Sequence, residues 1–146
     1  MAELFGNFYC LFESLFGDNL AEYLWGYSCV TGEYTGPNLF YRIGLITVLT
    51  ALILVLLCYY LPLYLFNHPR SNRWWNWLII LGVNAVTCFC IGYMWVLNDF
   101  LGGNIGDCLM YKRGEGGAVV AELILQTDCA LFGLVNAILS VIIFFV

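Results

Sequence analysis

Apolar and polar positions divide the chain into blocks. Residues 43–66 contain no charged residue, and a bilayer core requires roughly 20 apolar residues in helical form. With Arg42 at its edge, a first membrane span is predicted at about 41–66. Hydrocarbon offers the backbone no partner, so the span must satisfy its own amides as a helix. Gly44, Thr47, Ala51 and Cys58 share one face of it, at spacings of three, four and seven. Small residues on one face allow another helix to approach closely. Pro62 predicts a kink near the end of the span. A second span is predicted at 74–97. It opens on Trp74, Trp75 and Trp77, which mark the headgroup boundary, and Asn76, Asn84 and Thr87 interrupt its apolar run. Asn84, Thr87, Cys88 and Ile91 are expected to face other helices. The 67–73 turn between the spans is short and basic, so they run antiparallel.

Ahead of the spans, Leu4, Phe5, Phe8, Leu11, Phe12, Leu15 and Phe16 repeat with helical period. Glu3, Asn7, Cys10, Glu13 and Ser14 occupy the opposite face. This predicts one amphipathic helix over 2–16, too short to cross a membrane. Gly17 is expected to end it, and Asp18 to cap a second short helix over 19–25. The stripe is expected to lie in the membrane interface, dock on a partner or pack on the chain's own spans. It contains no Lys or Arg, so attraction to anionic lipid is not what holds it. Residues 26–40, with Gly, Tyr, Thr and Pro37, read as an ordered loop or hairpin outside the membrane.

After the second span, residues 98–117 hold six glycines and both charge signs and read as a loop without a Walker or dinucleotide pattern. Residues 118–146 are helical by pattern. They admit a third span from about 118 to 140, or one beginning near Cys129. The later start is favoured, because it keeps Glu122 and Asp128 out of hydrocarbon, where each costs several kcal/mol. The apolar run is unbroken up to Val146, and a short polar tail is expected beyond it. The chain is therefore expected to be an all-α integral membrane protein. Residues 1–40 form amphipathic, interfacial helices and a loop, and residues 41–146 form a membrane domain of about three transmembrane helices.

Composition reinforces this class. Charged residues make up 10% of the chain, against about 25% in soluble domains. Five Lys and Arg in total leave no basic surface for nucleic acid. No basic segment followed by a short apolar core opens the chain, and its Met-Ala-Glu start lacks the glycine that myristoylation needs. Insertion is thus expected to use an internal span. The density of Arg70 and Arg73 places the 67–73 turn in the cytoplasm, with the N-terminal forty residues and the 98–128 region outside.

Candidate chemistry is sparse. No nucleophile–base, metalloprotease or paired-carboxylate pattern is present, and His68 stands beside Pro69 at a turn with no carboxylate near it in sequence. No enzyme, cofactor or metal site is expected. Cys88 and Cys90 read as small residues inside a span. Cys29 and Cys108 lie in loops expected on the same outer side and are candidates for a disulfide, with Cys10 as a rival partner. The most specific pattern is a polar seam in the last helix: Glu122, Gln126, Cys129, Gly133, Asn136 and Ser140, at alternating spacings of four and three. Such a face turns toward protein or water. It is expected either to bond within one monomer, through Asn84 or Thr87, or to line a path between copies, with Glu122 and Asp128 as an acidic collar favouring cations. Two non-enzymatic functions follow. One is a homo-oligomer with pore or channel activity in the bilayer. The other is a structural anchor or scaffold subunit of a larger membrane complex.

Topology is testable in cells with cysteine-depleted variants. An impermeant thiol reagent is expected to label Asn104→Cys and to spare Ser71→Cys. Labelling of Ser71→Cys would reverse the orientation.

Overall fold

The computed structural model describes residues 2–61, 74–114 and 116–145. Pro62 and the 67–73 turn, with His68, Arg70 and Arg73, lie outside these residues. The fold is mostly helical, and its elements run α1 (Ala2–Cys10), α2 (Glu13–Phe16), α3 (Asp18–Trp25), α4 (Leu39–Leu61), α5 (Trp74–Leu101), α6 (Asp107–Met110), β1 (Tyr111–Arg113), β2 (Val119–Glu122) and α7 (Gln126–Phe145). Among them, α4, α5 and α7 are long and apolar enough to cross a membrane.

Local chemistry sets the ends of the three spans. Helix α4 starts at Leu39, two residues before the expected boundary, because the Asn38 carboxamide accepts the Tyr41 N–H at 3.0 Å and caps the first turn. Helix α5 runs to Leu101, so Asn98 and Asp99 belong to its last turn and not to the loop. The chain leaves the helix through Gly102 and Gly103, and Gly103 takes the left-handed φ of 68°. Helix α7 begins at Gln126, where the Asp128 carboxylate reaches back to the Leu125 N–H at 2.8 Å.

The helical pattern expected over 118–125 is not realised. Val119–Glu122 pairs antiparallel with Tyr111–Arg113, with Tyr111 opposite Glu122. The β-branched pair Val119 and Val120 suits a strand. Gly116 and Gly117, with φ of 121° and 79°, supply the turn that returns the chain. Residues 26–38 contain one bridge, Ser28 to Glu33.

The single helix expected over 2–16 is broken at Leu11 and Phe12, where the Phe12 N–H turns to the Tyr9 carbonyl at 2.9 Å. A straight helix would lie along one span. The break lets α1 pack on α4 and α2 on α7. Gly17, with φ 88° and ψ 145°, precedes α3, so glycine occupies the cap position expected for Asp18. Of the predicted stripe only Phe5 and Phe16 are buried; Phe8 and Phe12 are half-buried, and Leu4, Leu11 and Leu15 stay exposed.

The core sits where the N-terminal helices meet the spans. Tyr9 stacks on Phe40 with ring centroids 5.0 Å apart and lies 5.3 Å from Phe132, and Phe16 meets Phe132 edge-on at 5.5 Å. Edge and offset contacts of this kind add to the area that each ring buries. Glycines permit the close approaches. A Cβ on Gly44 would stand 2.6 Å from the Phe5 ring, and one on Gly92 2.9 Å from the Asn136 Cβ. Small residues thus let α5 and α7 form the most extensive helix pair in the molecule.

At one end of the bundle, α3, residues 26–38, α6 and the hairpin form a cap. A disulfide joins Cys29 to Cys108, 79 residues apart, with their Cα atoms 5.9 Å apart. Where α3 meets the last turn of α5, the Tyr23 phenol donates to the Asp99 carboxylate. Burial, followed by the Asp99 charge, pushes the Tyr23 pKa well above the ordinary tyrosine value, so it stays a neutral donor. Residues before α4, after α5 and before α7 all belong to this cap, as an antiparallel three-span path requires.

The disulfide closes a long loop, and such links typically contribute about 2–4 kcal/mol. Cys29→Ser combined with Cys108→Ser is expected to lower unfolding stability in detergent by that amount. Non-reducing peptide mapping of the parent should yield one fragment holding both residues. Two free thiols at these positions would contradict the link.

Candidate functional site

The described side chains with the most concentrated buried polar chemistry surround Asn136. This residue is the eleventh of α7 and is fully buried. Its Nδ2 donates to the Cys88 carbonyl of α5 at 2.7 Å. Its Oδ1 accepts the Tyr9 hydroxyl of α1 at 2.6 Å and faces the Thr47 hydroxyl of α4 at 2.9 Å. A carbonyl only accepts, so the amide must turn its nitrogen to Cys88, which leaves the oxygen for the two hydroxyls. Thr47 has one proton and a second acceptor, the Ile43 carbonyl, also at 2.9 Å. Tyr9 is therefore the stronger donor to Asn136. One side chain thus ties together α1, α4, α5 and α7.

A second, weaker cluster lies one turn further along α7. The Asn84 Nδ2 approaches the Ser140 carbonyl at 3.4 Å, its Oδ1 accepts the Cys88 thiol at 3.8 Å, and the Ser140 hydroxyl donates to the Ala137 carbonyl at 2.7 Å. Among the described residues, no buried side-chain nitrogen or oxygen lacks a partner. In a buried apolar setting an unsatisfied polar group is costly, so this closure is what permits the two asparagines to be there.

The predicted polar seam is divided by the fold. Cys129, Gly133, Asn136 and Ser140 do share a buried face of α7. They turn into the chain's own interior, with Gly133 against the Phe89 carbonyl and the Tyr93 side chain. Gln126 is exposed, with its amide 3.4 Å from the Tyr93 hydroxyl. Glu122 leaves the seam altogether: it lies on β2, exposed, opposite Tyr111. Asp128 is occupied as the cap of α7. The two carboxylates expected as a collar therefore sit on different elements, one free in solvent and one bonded to the backbone.

Other expectations resolve in detail. The buried face of α5 is Asn84, Cys88, Gly92 and Val96. Thr87 instead folds its hydroxyl back on the Val83 carbonyl at 2.8 Å and plays no part with Asn136. Cys88 is buried, but Cys90 is exposed on the outer face of α5. Cys10, the rival partner for Cys29, is a free thiol that accepts the Trp25 Nε1–H at 3.3 Å. Sequence reasoning overlooked Tyr9. Its signal was present, since Tyr9 stands four residues after Phe5 on the face that packs inward, and a phenol there needs a polar partner.

The site holds four helices in register. Among the described residues, no group of three His, Cys, Asp or Glu could hold a metal ion. All ten Asp and Glu, with Arg42, Lys112 and Arg113, belong to residues 1–42 and 98–128, which gives these two segments together a formal charge of −7 (three minus ten). Comparison with known protein families, curated proteins and solved structures finds no match.

Interhelical polar contacts in membranes are worth about 0.6–2 kcal/mol. Asn136→Leu is expected to cost about 2 kcal/mol, and Tyr9→Phe about 1 kcal/mol. Thr47→Val should cost less, because Thr47 keeps an alternative acceptor in its own helix. In a double-mutant cycle read by thermal unfolding in detergent, Asn136→Leu and Tyr9→Phe should be non-additive. Additive losses would mean that the two side chains do not interact.

Proposed function

We propose that this protein is a non-enzymatic, multi-pass membrane protein that serves as a structural anchor or scaffold subunit of a larger membrane complex. The observation that carries this reading is the internal use of the membrane-level polar groups. Asn136, Ser140, Asn84 and Thr47 all bond within the chain. What the molecule presents outward is its cap, held by a disulfide, with Val30, Tyr34, Val119 and Val120 exposed there. Exposed apolar residues on a rigid, solvated element suit protein contact. The hairpin also has open edges, and a two-stranded ribbon alone is marginal in water, so a partner that covers it would stabilise both. The acidic balance of that end favours a partner with a basic surface. An oxidising compartment suits the disulfide and agrees with the cap outside and the 67–73 turn in the cytoplasm.

The rival reading is a homo-oligomeric pore lined by the same seam. It would require Asn136 to give up its bonds to Tyr9 and Cys88 and to rotate out of the bundle.

Two measurements separate these readings. Purified protein in a planar bilayer is expected to pass no ions above background, and Asn136→Leu should change only stability. A cation-selective conductance lost in Asn136→Leu and altered in Glu122→Gln would establish the pore instead. In native membranes, a photo-crosslinking residue in place of Val119 is expected to give one discrete heterologous adduct, abolished by Val120→Asp. Adducts only to a second copy of this chain would replace the scaffold with a self-assembly.

A further inference from the structure

Helix α1 has four distinct sides. At about 100° per residue, Phe5 and Tyr9 point together into the bundle. Gly6 and Cys10 lie to one side of them and meet Trp25 of α3: a Cβ on Gly6 would collide with the Trp25 ring, and Cys10 accepts its indole N–H. Leu4 and Phe8 lie to the other side, and Glu3 and Asn7 face away from the bundle. After the break, Leu11 and Leu15 continue the exposed apolar positions, with Leu4 65% and Leu11 78% exposed.

The depth of this element can be read from the spans. Arg42 and Asp128 are the charged residues of α4 and α7 furthest into those helices. Thr47 lies five residues beyond Arg42, about 7.5 Å along the axis, and Asn136 eight beyond Asp128, about 12 Å, at 1.5 Å per residue. Tyr9 reaches both. The Phe5 ring lies against Gly44 of α4, and the rings of Tyr9 and Phe16 both meet Phe40 and Phe132. The inner faces of α1 and α2 thus rest on the first two turns of α4 and α7.

We infer that α1 and α2 form a wedge embedded in the leaflet on the cap side, with Leu4, Phe8, Leu11 and Leu15 packed against lipid acyl chains. The Tyr9–Asn136 bond sets its depth, and the polar side, Glu3 and Asn7, faces the headgroups. No Lys or Arg occurs between residues 2 and 41, so the surface recognises acyl chains and not anionic headgroups. This inference does not rest on the scaffold reading. Because α1 packs on α4, its exposed leucine side extends the apolar surface of that helix, where Leu45, Leu49 and Leu52 are likewise exposed.

The test uses the full chain in nanodiscs of phosphatidylcholine and phosphatidylglycerol. Nitroxides are placed by Leu11→Cys, with Leu52→Cys as the lipid control and Val30→Cys as the water control. The five free cysteines are replaced, and the Cys29–Cys108 link is kept. Collision with oxygen and with a water-soluble nickel chelate is then compared. At Leu11 the oxygen-to-nickel ratio should match Leu52 and exceed Val30 several-fold. A ratio like that of Val30 would overturn the inference by placing the wedge in water. Low access to both agents would also overturn it, because a partner protein or a second copy would then cover the face. Should the cysteine-depleted background fold poorly, the unmodified protein can be photolysed in bilayers whose lipids carry a diazirine on the acyl chain. Adducts on the peptide spanning residues 2–16 are expected, and their absence, with α4 labelled, would contradict the wedge.

Discussion

A single carboxamide holds this architecture together. Asn136 is buried in the middle of α7 and bonds to three other helices. A polar side chain in hydrocarbon is tolerable only if its donors and acceptors are met. That requirement constrains its surroundings: α5 must come close enough for the Cys88 carbonyl to accept, α4 must turn Thr47 inward, and α1 must carry Tyr9 down to the same level. Gly92, against the Asn136 Cβ, is the residue that makes the α5 approach possible. Replacement of any of these groups disturbs the others, because a buried polar network is stable only when it is complete.

The aromatic cluster and the cap extend the same logic outward. Tyr9 belongs to both systems: its hydroxyl enters the polar cluster and its ring stacks on Phe40. The N-terminal helices are thereby fixed to the spans by area burial as well as by hydrogen bonds. Above them the disulfide fastens residues 26–38 to α6, in a region with few buried apolar residues and much irregular backbone. A covalent link does there what packing does among α4, α5 and α7. Tyr23 and Asp99 tie α3 to the end of α5. The outward chemistry of the molecule lies on the cap and on the exposed apolar sides of its long helices.

Much of this was legible in the sequence, and what was not has identifiable causes. The spans follow from uninterrupted apolar runs, because hydrocarbon leaves the backbone no choice but a helix. Gly44, Thr47 and Ala51 were readable as a contact face, and all three are buried. The ends of the helices were less readable, because they depend on single caps: Asn38 for α4, Asp128 for α7 and Gly103 after α5. Residues 118–125 carry a helical pattern that strand pairing with Tyr111–Arg113 overrides. That pairing lies between segments, and the periodicity of one segment does not report it.

The sequence by itself determined a mostly helical chain with three helices long and apolar enough to cross a membrane, and the presence of polar groups that must be satisfied. Tertiary structure decided which partners satisfy them. A seam of polar residues at heptad spacing looks the same whether it faces a copy, a pore or its own chain. Only the placement of Tyr9, Thr47 and the Cys88 carbonyl around Asn136 turns it inward, because hydrogen bonds reach about 3 Å and their partners lie 48 to 127 residues away in the chain.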